Sequence, residues 1–218
     1  MLKRITAFLL LLIISPILLV IVILLRFTGE GEILYLQLRS GINGEVFKIY
    51  KFATMLKNSP NMKNADVTVK GDERVLFIGY YLRKLKINEI LQLINVFKGE
   101  MVFVGPRPLT PKQIEKVPDS LKNKINYLKP GITGVSSLIF RNEEELLSND
   151  SPLEMHKKLT LIKYNLESWY GLNKNILLDF LIVILTVISI VFPSLKLYKI
   201  FKKIWNDFPT LIIEEVFE

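Results

Sequence analysis

Residues 82–108 read LRKLKINEILQLINVFKGEMVFVGPRP, and three patterns follow one another along them. From Leu76 to Phe97 the spacing is helical: Ile87, Ile90, Leu91 and Ile94 fall at i, i+3, i+4 and i+7, on one face of a helix. Lys98-Gly99 stops that pattern, and EMVFVGPRPLTP follows as a short apolar strand ending in a rigid Gly-Pro-Arg-Pro turn. Helix, strand and turn in this order predict an α/β body, mostly helical with short strands. Upstream, EILYLQLRSGINGEVFKIYKFATM reads as a strand, a turn from Gly41 to Gly44, and a second strand of alternating character. Residues 57–72 read as a polar loop without periodicity. Downstream, LKPGITG is a second rigid turn, and residues 142–164, rich in Glu and Lys, predict a solvated helical segment.

Both ends of the chain are apolar. After Met1-Leu2-Lys3-Arg4, the run from Ile5 to Leu25 is interrupted only by Thr6, Ser15 and Pro16. That is enough helix to cross a hydrocarbon core of roughly 30 Å. The run is too long for a signal peptide, and Arg26-Phe27-Thr28-Gly29-Glu30 offers no small-x-small cleavage site, so a membrane anchor is expected. Proline removes a backbone donor and clashes with the carbonyl four residues back, so a break or kink is predicted at Ser15-Pro16. A bent helix either crosses or leaves by the face it entered. Positive charge at both ends, Lys3-Arg4 and Arg26, does not choose between the two. Ile176 to Phe192 is apolar apart from Asp179, Thr186 and Ser189, a length at the lower limit for a span that also suits a buried or interfacial helix. Beyond Pro193, Leu197, Ile200, Phe201, Ile204 and Phe208 share one face of a basic amphipathic helix. With Tyr198 and Trp205, that helix suits either the lipid headgroup layer or a protein partner. Three regions are therefore expected: 1–28, 29–175 and 176–218.

Composition removes whole classes of chemistry. With no cysteine among 218 residues, disulfides, thiolate catalysis and most structural zinc sites are excluded. His156, the single histidine, has no second imidazole to share a metal and is expected at the surface. The net charge of +8 beside apolar segments suits an anionic leaflet, where each nearby Lys or Arg contributes about 1 kcal/mol. No nucleic-acid motif accompanies that charge, and no nucleic-acid partner is expected.

Three constellations remain. Arg83, Lys84, Lys86, Asn88 and Glu89 cluster where basic side chains could hold phosphate beside a Mg2+-binding carboxylate. The same residues also describe an ordinary charged helix face. In Gly105-Pro106-Arg107-Pro108 the prolines stiffen the backbone on both sides of one guanidinium, a geometry suited to bidentate phosphate binding or simply to a rigid loop. The third, Lys129-Pro130-Gly131-Ile132-Thr133-Gly134, is followed by Arg141.

Their order and wording, together with KR before an apolar run broken by SP and the segment QLRSGINGEVFKIYKFATM, resemble the bacterial sugar transferase family of monotopic phosphoglycosyl transferases. The resemblance runs from Lys3 to about Val187. It implies transfer of a phospho-sugar from a nucleotide diphosphate sugar, usually a UDP-sugar, to polyprenol (undecaprenyl) phosphate, the first membrane step of glycoconjugate assembly. It implies a cytoplasmic-face domain on the bacterial inner membrane, among membrane lipids and downstream glycosyltransferases. Its anchor would be re-entrant, with Ser15-Pro16 as the break, and its C-terminal helices interfacial. The family mechanism uses an Asp-Glu pair with Mg2+: the Asp takes the phospho-sugar covalently and then yields it to the lipid phosphate. By the same match, Arg141, Arg107 and Lys51 fall on basic positions at or near the site, with Arg83 beside them, and Glu89 is the metal-binding partner carboxylate. Asn88 stands where the nucleophilic Asp is expected. Either Glu89 takes over as nucleophile, or the lipid phosphate attacks directly, or the chain is an impaired homologue that binds lipid phosphate or a partner transferase.

Overall fold

The computed structural model describes residues 1–62, 68–115, 117–147 and 152–217, so part of the predicted 57–72 loop and of the 142–164 segment lies outside the described residues. The chain opens with α1 (Leu2–Phe27), followed by the hairpin β1 (Leu34–Ser40) and β2 (Val46–Phe52). Next come α2 (Phe77–Lys84), α3 (Gln92–Lys98), β3 (Val102–Val104), α4 (Pro111–Glu115) and α5 (Asp119–Ile125). The second half holds β4 (Gly131–Thr133), α6 (Val135–Ile139), α7 (Glu143–Leu146), α8 (Pro152–Asn173), α9 (Ile176–Val191), α10 (Tyr198–Ile204) and α11 (Leu211–Phe217). The mostly helical body with short strands is as the sequence predicts.

The expected break at Ser15-Pro16 does not interrupt α1, which runs as one helix with Pro16 inside it. Pro16 has no N–H for the Leu12 carbonyl, and the Ser15 hydroxyl donates to that carbonyl at 2.8 Å. The neighbouring serine thus satisfies the acceptor that proline leaves orphaned, as side chains do in apolar surroundings. By length and composition α1 could cross a membrane. One stripe of it lies along the body instead. Ala7 packs with Ile49, Leu93, Val96 and Met101, and Ile21 and Leu25 pack with Phe52, Leu82 and Leu91. At the N-terminal end Arg4 Nε donates to the Phe97 carbonyl at 2.6 Å. The opposite stripe, including Ile13, Ile17 and Leu19, is exposed.

The hairpin follows the sequence reading. Its register runs antiparallel from Leu34 opposite Phe52 to Ser40 opposite Val46, with Asn43 and Gly44 in left-handed conformations at the turn. The single helix predicted over 76–97 is divided. Lys86 takes φ 58°, and a 3-10 turn over Ile87–Glu89 separates α2 from α3. Leu85 N–H bonds back to Tyr81 and Lys86 N–H to Arg83, closing α2, while Ile87, Ile90 and Ile94 still pack around Phe52 and Leu82. The periodicity reported a buried stripe, and two short helices with a turn deliver it as well as one helix would.

LKPGITG is more than a turn. Its Gly131–Thr133 form β4, parallel to β3 with Val102 opposite Gly131 and Val104 opposite Thr133. The solvated segment predicted over 142–164 is also corrected, because α8 buries Leu159, Ile162 and Tyr164. His156 is half-buried. On α9, Leu178, Ile182 and Leu185 face the core while Leu177, Phe180 and Val187 face outward. In the C-terminal segment part of the predicted apolar face turns inward, while Ile200 and Ile204 remain exposed. Leu197, Tyr198, Phe201 and Phe208 are buried; Tyr198 stacks on Phe217, and Trp205 meets Trp169 edge-on at 5.5 Å. Such aromatic contacts stabilise beyond the area they bury, which favours the inward packing of these residues. One apolar cluster therefore runs from Val104 to Ile213, across the expected boundary at 175.

Candidate active site

The turn between α2 and α3 places Glu89 at the centre of a basic cluster. Its Oε1 accepts from Lys51 Nζ at 2.8 Å, delivered by β2, and from Arg107 Nη2 at 3.2 Å, delivered by the Gly-Pro-Arg-Pro loop. Residues 38 and 18 positions away in sequence thus converge on one carboxylate. Burial alone would raise the Glu89 carboxyl, but Lys51, Arg107 and Lys86 outweigh it and hold it well below the usual carboxylate range. Burial lowers the Lys51 ammonium to about 8, with Glu89 opposing the shift. Lys86 is also lowered by burial, and Arg39 is brought to about 10 by burial and then by Arg107. One carboxylate is thus surrounded by more positive charge than it can neutralise, and the excess favours a polyanion such as a diphosphate.

Arg107 is fixed by its backbone. Gly105 N–H donates to Thr133 at 2.9 Å, Gly131 N–H to Pro106 at 3.0 Å, and Arg39 Nη1 to the Pro108 carbonyl at 2.9 Å. Glycine is required where these loops meet: a Cβ on Gly131 would stand 2.1 Å from the Gly105 nitrogen, and one on Gly134 2.3 Å from the Gly105 oxygen. Behind the loop sits Glu167, 3% exposed, which accepts from the Ser136 hydroxyl. Burial raises its carboxyl to about 7, against the pull of Ser136 and the Arg107 backbone amide.

The other sequence candidates lie around this centre. Asn88 is buried, and its Oδ1 has no hydrogen-bond partner. Arg83 is paired with Glu144 rather than with Glu89. Arg141 donates to Ser189 Oγ at 3.3 Å and to the Lys84 carbonyl at 3.1 Å, and its charge reaches Lys86. Ser15 and Pro16 lie in α1 as described. Sequence reasoning missed Arg39, hidden in a strand of ordinary alternation, and Glu167, which lies just beyond the 142–164 segment and carries no motif. It also missed Asn95, fully buried, whose amide joins the Lys48 carbonyl, the Tyr50 amide and Glu100 and so ties α3 to β2.

Among the described residues no group of three acidic or histidine side chains could cage a metal. The residues nonetheless fit a magnesium ion. Asn88 Oδ1 is an oxygen without a partner, and the Glu89 ion pairs use Oε1 alone. Magnesium commonly takes one or two protein oxygens and completes its shell with water and substrate phosphates.

The fold and this cluster describe a membrane-associated protein whose central charges suit phosphate groups. The chain belongs to the bacterial sugar transferase family, which it matches over residues 1–193. It is 31% identical over 184 residues to the undecaprenyl-phosphate glucose phosphotransferase of Komagataeibacter xylinus, covering 82% of this chain and 33% of that protein. Identity is 33% over 182 residues to the UDP-glucose:undecaprenyl-phosphate glucose-1-phosphate transferase of Klebsiella pneumoniae, 82% of this chain and 37% of the relative. With the uncharacterized sugar transferase EpsL of Bacillus subtilis it is 31%, over 79% of this chain and 77% of the relative. The chain thus spans about a third of the first two relatives and most of the third.

Proposed function

We propose that this protein transfers a phospho-sugar from a nucleotide diphosphate sugar, of the UDP class, to polyprenol phosphate. The observation that carries the reading is the convergence of Lys51, Arg107 and Lys86 on the single ionised carboxylate of Glu89. In the resting site these cations neutralise Glu89. A bound diphosphate offers them stronger partners, and as they turn to the phosphate oxygens the Glu89 carboxylate is released. Glu89 then attacks the sugar-bearing phosphorus, the anhydride P–O bond breaks, and the nucleoside monophosphate leaves with the bonding electrons. An oxygen of the lipid phosphate attacks the resulting acyl phosphate and regenerates the carboxylate, so one substitution is divided into two. Asn88 keeps a neutral oxygen beside the site. A magnesium ion held by Asn88 and Glu89 would supply charge neutralisation for the diphosphate.

The same reading places the body at the cytoplasmic face of the inner membrane, where a soluble donor and a lipid acceptor meet, with downstream glycosyltransferases taking the product. A re-entrant, single-leaflet placement of α1 is supported by the contacts of both its ends with one body and by positive charge at both ends. Intact-mass measurement after incubation with UDP-sugars and Mg2+ should show a phospho-sugar adduct that maps to Glu89. Release of UMP, and transfer of the phospho-sugar to added undecaprenyl phosphate, should both be lost in Glu89→Gln. Turnover that survives in that variant without any adduct would remove Glu89 from the role.

A further inference from the structure

The family match ends at residue 193, yet the chain beyond it packs against the loop that carries Arg141. Phe217, the last residue of α11, stacks on Phe140 with ring centres 5.7 Å apart and planes 11° from parallel. The same ring stacks on Tyr198, the first residue of α10, at 5.7 Å and 9°. Lys202 of α10 pairs with Glu214 of α11 at 3.0 Å, so the two C-terminal helices hold each other as well. Asn142 Nδ2 donates to the Pro193 carbonyl at 3.5 Å. From another side α8 contributes Lys163, whose Nζ lies 5.9 Å from the Phe140 ring centre and pairs with Glu143 at 2.5 Å. Phe140, Asn142 and Glu143 are each held in this way, and Arg141 is carried between them.

Arg141 depends on that support. Its guanidinium is half-buried and donates to neutral acceptors, the Ser189 hydroxyl and the Lys84 carbonyl. Among the described residues no ion pair fixes it. A long side chain gives up much rotamer freedom when ordered, so its place rests on a backbone that is itself fixed. The same loop brings two acidic groups to the site. Glu143 acts by charge on Arg107, and Glu144 pairs with Arg83 and acts on Lys86. Three charges around the α2–α3 turn and the Arg107 loop therefore share one mounting. A misplacement of about 1 Å at that mounting can cost on the order of 100-fold in rate.

We propose that α11 is a strap and Phe217 a positioning residue: stacked on Phe140, it sets the loop that presents Arg141, Glu143 and Glu144 to the active site. The consequence for catalysis rests on the transferase reading, whereas the strap itself is a property of the fold.

The test compares full chains in detergent. In Phe217→Ala, hydrogen exchange of peptides covering 138–147 should quicken by at least about tenfold, while peptides from α2 and α3 keep their rates. Phe217→Tyr preserves the stacked ring and should restore the original exchange. Phe217→Leu keeps apolar bulk without the ring and should fall between the two. Release of the nucleoside monophosphate should lose about tenfold in kcat/KM in Phe217→Ala and recover in Phe217→Tyr. Combined with Arg141→Ala, the loss should stay well below the product of the two single losses, because both changes take the same group from its place. Unaltered exchange over 138–147, exchange quickened equally throughout the chain in both Phe217→Ala and Phe217→Leu, or losses that multiply would each overturn the proposal. A loop that loosens in a protein without transferase turnover would keep the strap and remove the transferase reading. Turnover with an unaltered loop in Phe217→Ala would do the reverse.

Discussion

One oxygen of Glu167 accepts from Ser136 while the other is buried without a partner, an arrangement that suits a carboxyl holding a proton better than a carboxylate. Burial raises the group to about 7, whereas an unfolded Glu titrates near 4.5. A group whose folded pKa is raised contributes its stability fully below the unfolded value and loses it as pH climbs through the folded one. Stability should therefore decline between about pH 5 and pH 7 by an amount on the order of 3 kcal/mol from this residue. Glu167→Gln keeps an acceptor for Ser136 and cannot titrate. Thermal unfolding across pH 5–8 should show a flatter profile for the variant, and an undiminished slope would remove Glu167 as its source. Nothing local marks Glu167 in the sequence, because it belongs to no motif and lies just past the charged 142–164 segment. Glu89 was legible through the motif around it, but its neutralisation by Lys51 and Arg107 depends on pairings made only by the folded chain.

At the scale of elements, close backbone approach explains the glycines better than turn geometry does. Gly44 has φ 81° and open space around it, so Gly44→Ala should cost roughly 1–2 kcal/mol for the left-handed backbone alone. At Gly131 a methyl group would meet the Gly105 backbone, which cannot turn aside as a side chain can. Gly131→Ala should therefore exceed the roughly 1–3 kcal/mol typical of an extra methylene in a packed interior, and should cut activity by displacing Arg107. Chemical denaturation of the two variants would show the contrast, and equal losses would contradict it. The sequence displayed both glycines as turn residues. Pairing of β4 with β3 distinguishes them, and that pairing joins segments about 29 residues apart. The division of the 76–97 helix was hidden for a related reason: periodicity reports which residues are buried, not whether one helix or two carry them.

For the whole molecule the question is how α1 meets a bilayer. Its inner stripe contacts the body from Arg4 to Leu25, and the single-leaflet placement proposed above predicts that both its ends lie on one face. Leu2 and Phe27 are exposed near the two ends, and the chain has no native cysteine. Single-cysteine variants Leu2→Cys and Phe27→Cys should react with a membrane-impermeant maleimide from the same side, in inside-out vesicles and not in intact cells. Labelling from opposite sides would establish a span and sink the single-leaflet placement.

The sequence by itself determined the apolar termini, the hairpin, the strand before Gly-Pro-Arg-Pro and the residues at the heart of the site, because these are written in local spacing and in motif. Only the tertiary structure decided that α1 continues through Pro16, that the C-terminal aromatic residues turn inward, and that Lys51, Lys86 and Arg107 converge on Glu89. Each of those outcomes depends on partners distant in sequence: a carbonyl needing a donor, an apolar cluster needing cover, a buried charge needing its opposite. The helix around "KINEIL" carried its own periodicity; its charge state belonged to the fold.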